Sequence, residues 1–193
     1  MIIPLIEGTH RMQEAPDGVD IYDHTSAVTL IKTDTTNILV DTGGRGQIEN
    51  IRERLQEQGL TLEDIHIVIL THFHLDHVYN VSFFANSRVI GWQHEWKNGA
   101  TFRFKDIEAL KIAEDVSIIK TPGHTTEHLS VKVEESGKTT IVAGDAINEK
   151  FYTTEEMPAV TADKELYKKS AEWIKSVADV IIPGHGGIIT RPI

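Results

Sequence analysis

The sequence predicts an α/β fold whose buried strands run out to a common rim. Three observations predict it. Short runs rich in Ile and Val, such as Ile65-His66-Ile67-Val68-Ile69-Leu70, read as strands buried on both faces. Gln47 to Gln58 and Asp163 to Val177 carry apolar residues at helical spacing with charges between them. Several apolar runs end within a few residues of a His or an Asp, most of them through Gly or Pro-Gly.

At 193 residues, one domain spanning 1–193 is the expectation, with room for a sizeable core. The apolar and charged shares are ordinary for a soluble globular protein. A net charge of -10 disfavours a broad phosphate-binding surface. A bound pair of dications would reverse that sign locally. With no cysteine, the chain has neither a disulfide framework nor a thiolate metal site. Met1 to Ile6 lacks a basic flank, and no later run is long enough to span a bilayer. A cytoplasmic protein with no membrane partner is therefore expected.

The elements follow in order. Residues 2 to 6 form an edge strand, the position where Pro4 is tolerated. Ala15-Pro16-Asp17-Gly18 is a turn signal. Ser26 to Lys32 and Asn37 to Val40 read as a hairpin joined at Thr33 to Thr36. Val40-Asp41-Thr42-Gly43-Gly44 then turns sharply. Asp41 is open between plain turn chemistry and support of a metal ligand from behind. The helix of 47–58 stops at Gly59. Thr61 to Asp64 makes a short turn into the buried strand, a helix starts near Val78, and Ser87 to Gly91 forms another strand. Trp92, His94, Trp96, Phe102 and Phe104 are an aromatic cluster, read as core packing beneath a loop in preference to a substrate-facing wall. Leu129 to Glu134 and the run ending at Gly144 form a second hairpin. Phe151 to Val160 is irregular. In the last helix Leu166, Ser170, Trp173, Ile174 and Val177 share a face.

The chemistry concentrates in Thr71-His72-Phe73-His74-Leu75-Asp76-His77, directly after the most apolar strand. Residues two apart in extended backbone point the same way, so His72 and His74 can reach one ion together. Asp76 and His77 come after the backbone has begun to turn and are placed for a second ion beside it. Imidazole nitrogen and carboxylate oxygen are ordinary ligands for zinc, and also for iron or manganese. The same local design recurs at His124 after Thr121-Pro122-Gly123, at Asp145 after Gly144 and at His185 after Pro183-Gly184. If these strands lie side by side and point the same way, His72, His74, Asp76, His77, His124, Asp145 and His185 converge. Among the remaining candidates, His128 reads as a packed or supporting residue and His24 as a surface histidine. His10, His66 and His94 carry no motif. Tyr152 could offer a phenol to a substrate.

These motifs resemble those of the metallo-β-lactamase superfamily. The resemblance rests on His72-x-His74-x-Asp76-His77, His124 in Thr-Pro-Gly-His-Thr, Asp145 in Ala-Gly-Asp, His185 in Pro-Gly-His, and Val40-Asp41-Thr42-Gly43. It implies an α/β, four-layer αββα metallo-β-lactamase sandwich with a binuclear site at one edge. It implies His72, His74 and His124 at one metal, Asp76, His77 and His185 at the other, and Asp145 bridging. The cofactor implied is two divalent metal ions, Zn2+ first, with Fe or Mn as alternatives. The function expected is a metal-dependent hydrolase acting on an ester-like bond (thioester, lactone or related) of a small-molecule substrate. A binuclear-metal-activated hydroxide attacks, and Asp76 is the catalytic residue that orients it.

Two other classes compete. A phosphodiesterase or ribonuclease of the same fold would need a basic groove, and nucleic acid is not favoured. The other is a non-hydrolytic di-iron or metal-binding protein, whose redox version would need more carboxylate ligands than this set offers. Glyoxalase II resembles the metal motifs but adds a C-terminal helical region that the eight residues after His185 do not supply. Asn148 stands where quorum-quenching lactonases carry a tyrosine, and Glu127 where many relatives have Gly.

Overall fold

The computed structural model describes residues 1–14 and 20–192. The turn signal at Ala15 to Gly18 lies outside the described residues. One sheet has seven strands in the order β1 (Ile2–Ile6), β4 (Val28–Lys32), β5 (Asn37–Val40), β6 (Ile67–Leu70), β7 (Arg88–Gly91), β8 (His94–Lys97) and β9 (Ala100–Arg103). The second has five, in the order β10 (Val116–Lys120), β11 (Leu129–Glu135), β12 (Lys138–Gly144), β13 (Val180–Pro183) and β14 (Ile189–Thr190). A separate arm pairs β2 (Thr9–Glu14) with β3 (Asp20–Thr25). β1 lies at the sheet edge, as Pro4 requires, and β4–β5 and β11–β12 are antiparallel hairpins.

Strand alternation sorts the side chains into layers. Ile38, Val40, Ile67 and Ile69 of the first sheet meet Ile118, Val131, Val142 and Ile182 of the second in a central core. On the outer face of the first sheet, Leu39, Val68 and Leu70 pack on Ile51 and Leu55 of α1 (Ile48–Glu57). On the outer face of the second, Ile141, Ala143 and Ile181 pack on Phe151 of α3 (Glu149–Thr154) and on Tyr167, Ala171 and Ile174 of α4 (Lys164–Val177). The layer order is therefore helix, sheet, sheet, helix, the αββα sandwich expected.

The strands that carry the candidate ligands do not lie side by side in one sheet. β6 belongs to the seven-stranded sheet, whereas β10, β12 and β13 belong to the other and point the same way. Their ends meet across the sandwich edge. There the Leu129 N–H donates to the Thr71 carbonyl over 2.7 Å and joins the sheets.

Four local expectations are corrected. Helix α2 (Leu75–Val78) begins inside the histidine motif, not at Val78, and a separate short turn follows at Val81–Phe83. His74 is the last extended residue, and its carbonyl accepts from the His77 N–H over 3.0 Å. The aromatic segment is a β8–β9 hairpin, not a loop. Trp92 and Phe104 pack on the central core, but Phe102 lies on the free outer strand and is exposed. Residues 149–154 are helical because the Asn148 side chain caps them, accepting from the Phe151 N–H over 2.8 Å. The buried face of α4 is Tyr167, Ser170, Ala171 and Ile174, with Trp173 at the surface. That face is set by the loop beneath it, since a β-carbon on Gly123 would fall 2.2 Å from the Tyr167 backbone. Ser170 Oγ donates to the Pro122 carbonyl (2.8 Å) and the Asp163 N–H to the Gly123 carbonyl (3.0 Å), so α4 braces the His124 loop.

Asp163 caps α4, accepting from the Leu166 N–H over 3.0 Å. Asp163→Ala should cost about 1 kcal/mol. Ile69→Ala, which opens a void in the central core, should cost about 2–5 kcal/mol. Urea denaturation of the two variants measures both.

Candidate metal centre

The seven residues singled out by motif arrive from four chain segments and meet in one pocket. Donor atoms of His72, His74, His124 and Asp145 lie within 4.8 Å of one another, as do those of His77, Asp145 and His185. Asp145 stands between the groups. Its Oδ2 is 3.2 Å from His124 Nε2 and 3.4 Å from His185 Nε2, and its Oδ1 is 3.4 Å from His77 Nε2. Asp76 Oδ2 is 3.3 Å from His185 Nε2 and 3.6 Å from His77 Nε2. Four donors bound about 2.0–2.1 Å from one ion in a tetrahedron stand about 3.3–3.4 Å apart. The donor spacings in the pocket, from 3.1 to 4.0 Å, bracket that value.

The outward nitrogens explain how the rings are aimed. The Asp41 carboxylate accepts from the Thr71 N–H and hydroxyl, each over 2.8 Å, and from His77 Nδ1–H over 2.7 Å. The Thr71 hydroxyl proton is thereby committed, so its oxygen accepts from His72 Nδ1–H over 3.1 Å. His124 Nδ1–H donates to the Val160 carbonyl over 2.9 Å. His185 Nδ1–H is shared between the carbonyls of Thr9 and Thr25, 3.1 Å from each. All four rings are held with Nδ1 committed outward and Nε2 turned toward the pocket. His74 faces it through Nδ1, 3.1 Å from His124 Nε2. Asp41, left open by the sequence, is thus a support that holds two histidines, one of them through Thr71.

Five buried atoms of this set, His72 Nε2, Asp76 Oδ2, His77 Nε2, Asp145 Oδ1 and His185 Nε2, have no hydrogen-bond partner. Buried polar atoms are paired with few exceptions, because stripping them of water without compensation is costly. An orphaned cluster of nitrogens and carboxylate oxygens is what a divalent-cation site needs. The residues present fit the group. Gly184 belongs to the same design, as a β-carbon there would fall 2.1 Å from Asp145 Oδ1.

Charge is coupled across the pocket. Burial works against the Asp145 carboxylate, but His77 and His185 beside it hold its pKa well below the usual range. Burial also opposes protonation of His185, yet the Asp145 and Asp76 carboxylates beside it raise its pKa to about 9. Burial and the neighbouring His77 push His72 far down.

Outside the seven, the histidines divide. His128 is buried, and its Nε2 accepts from the Asp145 N–H over 3.1 Å while Nδ1 pairs with the Thr121 hydroxyl over 2.9 Å. Burial lowers its pKa to about 3, so it serves as a neutral support for the Asp145 backbone. His66 Nδ1 accepts from the Asn37 N–H, and His94 lies beside Trp96. Tyr152 packs on the outer core of α3 and α4 beneath Lys175 Nζ. His24, expected at the surface, stands at the pocket instead, its Nε2 3.1 Å from Asp76 Oδ2, with His10 behind it. The missed signal is the pairing of the two strands that flank residues 15–19, which sets His10 opposite His24.

Comparison with known proteins gives the same picture. Residues 21–103 match the family model described as the metallo-beta-lactamase superfamily. The chain is 34% identical over 173 residues to metallo-beta-lactamase domain-containing protein 1 of Xenopus laevis, covering 88% of this chain and 74% of that one. It belongs to the metallo-beta-lactamase superfamily. It covers 59% of the mouse protein of the same name. Among solved structures, a metallo-beta-lactamase-like protein of Thermotoga maritima superposes with a TM-score of 0.75 at 22% identity, covering 98% of both chains. An N-acyl homoserine lactone hydrolase, solved with its product at the catalytic metal center, gives 0.68 at 22% identity, covering 93% of this chain and 91% of that one. As a member of the metallo-beta-lactamase superfamily, the chain is a metal-dependent hydrolase.

Two outcomes are expected of this superfamily member. Asp41→Ala leaves the Thr71 N–H and His77 Nδ1–H unpaired, and should weaken zinc binding about 10–100-fold in a chelator competition. In the metal-stripped protein, His185 binds its proton more tightly folded than unfolded. The stability this contributes is complete below about 6.5 and is lost as pH rises through about 9. Thermal melts of stripped protein should therefore fall over that window, and those of zinc-loaded protein should fall less.

Proposed function

We propose that this chain hydrolyses an ester-like bond, a thioester, lactone or related linkage, in a small molecule, using two divalent cations with zinc preferred. His72, His74 and His124 would hold one, Asp76, His77 and His185 the other, and Asp145 both. The observation that carries the proposal is the convergence of five orphaned buried donor atoms on one pocket. Bound there, such cations lower the pKa of water to about 7 and polarise a carbonyl oxygen.

The chain's own residues do the rest. Asp76 sits at the mouth of the pocket, where imidazoles of His185, His24 and His77 keep its carboxyl below the usual range despite burial. It therefore stays ionised, and can orient an attacking water by accepting a hydrogen bond from it. Asp41, Thr71 and the carbonyls of Val160, Thr9 and Thr25 keep the imidazoles from turning. Exposed Leu75, between His74 and Asp76, offers an apolar rather than a cationic approach. That and the net charge of -10 support a small substrate over nucleic acid. A lactone has no privilege within the ester-like class. Asn148, where lactonases carry a tyrosine, has its side chain committed to capping α3.

A hydrolysis screen tests the proposal, with thioester, lactone, phosphodiester and β-lactam substrates. Metal-loaded protein should cleave an ester-like substrate, and chelation should abolish cleavage. Asp76→Ala should reduce the rate by about 10²–10⁴-fold. Cleavage confined to phosphodiesters, or full activity after chelation, would contradict it.

A further inference from the structure

The arm formed by β2 and β3 contributes more than a cover. His24, Asp76 and His185 form a further group whose donor atoms all lie within 4.8 Å of one another. His24 Nε2 is 3.1 Å from Asp76 Oδ2, and His185 Nε2 is 3.3 Å from the same oxygen. Two imidazole nitrogens thus converge on one buried carboxylate oxygen that has no hydrogen-bond partner, and His185 Nε2 is itself without one. The His24 and His185 rings lie 4.1 Å apart with their planes tilted by 32°, and both present Nε2 to Asp76 Oδ2.

His24 is also built like the ligands beside it. In His72, His77, His124 and His185, Nδ1 is held from outside and Nε2 is aimed inward. In His24, Nδ1 is held by His10 Nδ1 over 2.7 Å, and Nε2 is aimed inward. The hydrogen bond between two imidazole nitrogens needs a proton on one and a lone pair on the other. If His24 donates it, the Nε2 of that ring is left as a free donor for a cation. The arm further supplies the Thr9 and Thr25 carbonyls that fix His185.

We propose that His24 is a further metal ligand, giving the cation at Asp76, His77 and His185 a third imidazole nitrogen, with His10 as its positioning residue. This rests on the binuclear reading of the pocket. A third neutral nitrogen biases that position toward zinc, cobalt or nickel and away from magnesium or calcium, which prefer oxygen donors.

The test uses the intact chain, titrated with Zn2+ by calorimetry and with Co2+ by visible absorption. Wild type should bind two cations. His24→Ala should bind the first with unchanged affinity, which also certifies the fold, and the second at least about tenfold more weakly. Its cobalt bands should shift and intensify as the second ion loses a ligand. His10→Ala should weaken the second ion less and leave the cobalt bands in place. Unchanged binding of both ions by His24→Ala would overturn the inference. So would weaker binding with an unchanged cobalt spectrum, which marks a hydrogen bond to Asp76 and no ligation. Wild type that binds fewer than two cations would overturn the binuclear reading itself.

Discussion

The constraint on which the rest depends is a buried set of nitrogen and oxygen donors with nothing of the protein's own to bond to. Among the described residues, imidazoles and carboxylates of four segments face each other at 3.2–4.0 Å with their outer atoms already committed. The Asp41 network is the clearest case. One carboxylate takes three hydrogen bonds, and two of them settle proton positions, on the Thr71 hydroxyl and the His77 ring, that would otherwise be free. The result is a pocket whose inward lone pairs are set before any cation arrives. Preorganisation of that kind keeps ligand reorientation from competing with binding.

The sandwich serves this pocket through its strand ends. Ladders hold β5, β6, β12 and β13 rigidly, and each ends at a residue of the site or its support: Asp41, His72, Asp145 and His185. The exits are crowded enough that glycine is obligatory at two of them. A β-carbon at Gly144 would fall 2.7 Å from Thr71 Oγ1, and one at Gly184 would strike Asp145. The helices brace from outside, α4 most directly through Gly123 and Pro122 beneath His124. Core packing, loop closure and ligand placement are one arrangement, so substitutions far from the donors still reach them.

Much of this was legible in the sequence. Short apolar runs rich in Ile and Val identify the strands, and their endings identify the residues that meet. Where reading failed, a tertiary contact decided the outcome. α4 turns Tyr167 inward and leaves Trp173 out because the Gly123 backbone lies against Tyr167. The aromatic segment became a hairpin whose last strand has no layer over it, which leaves Phe102 exposed. His24 and His10 were passed over because neither sits in a recognisable ligand motif. Only the β2–β3 register joins them, and only the folding of that arm over the strand ends brings His24 to Asp76.

The most direct measurement is anomalous diffraction at the zinc absorption edge from crystals grown with zinc. Two peaks should appear flanking Asp145, one against His72, His74 and His124, the other against Asp76, His77 and His185. No peak in the pocket, or a single peak that leaves either histidine group without an ion, would contradict the account.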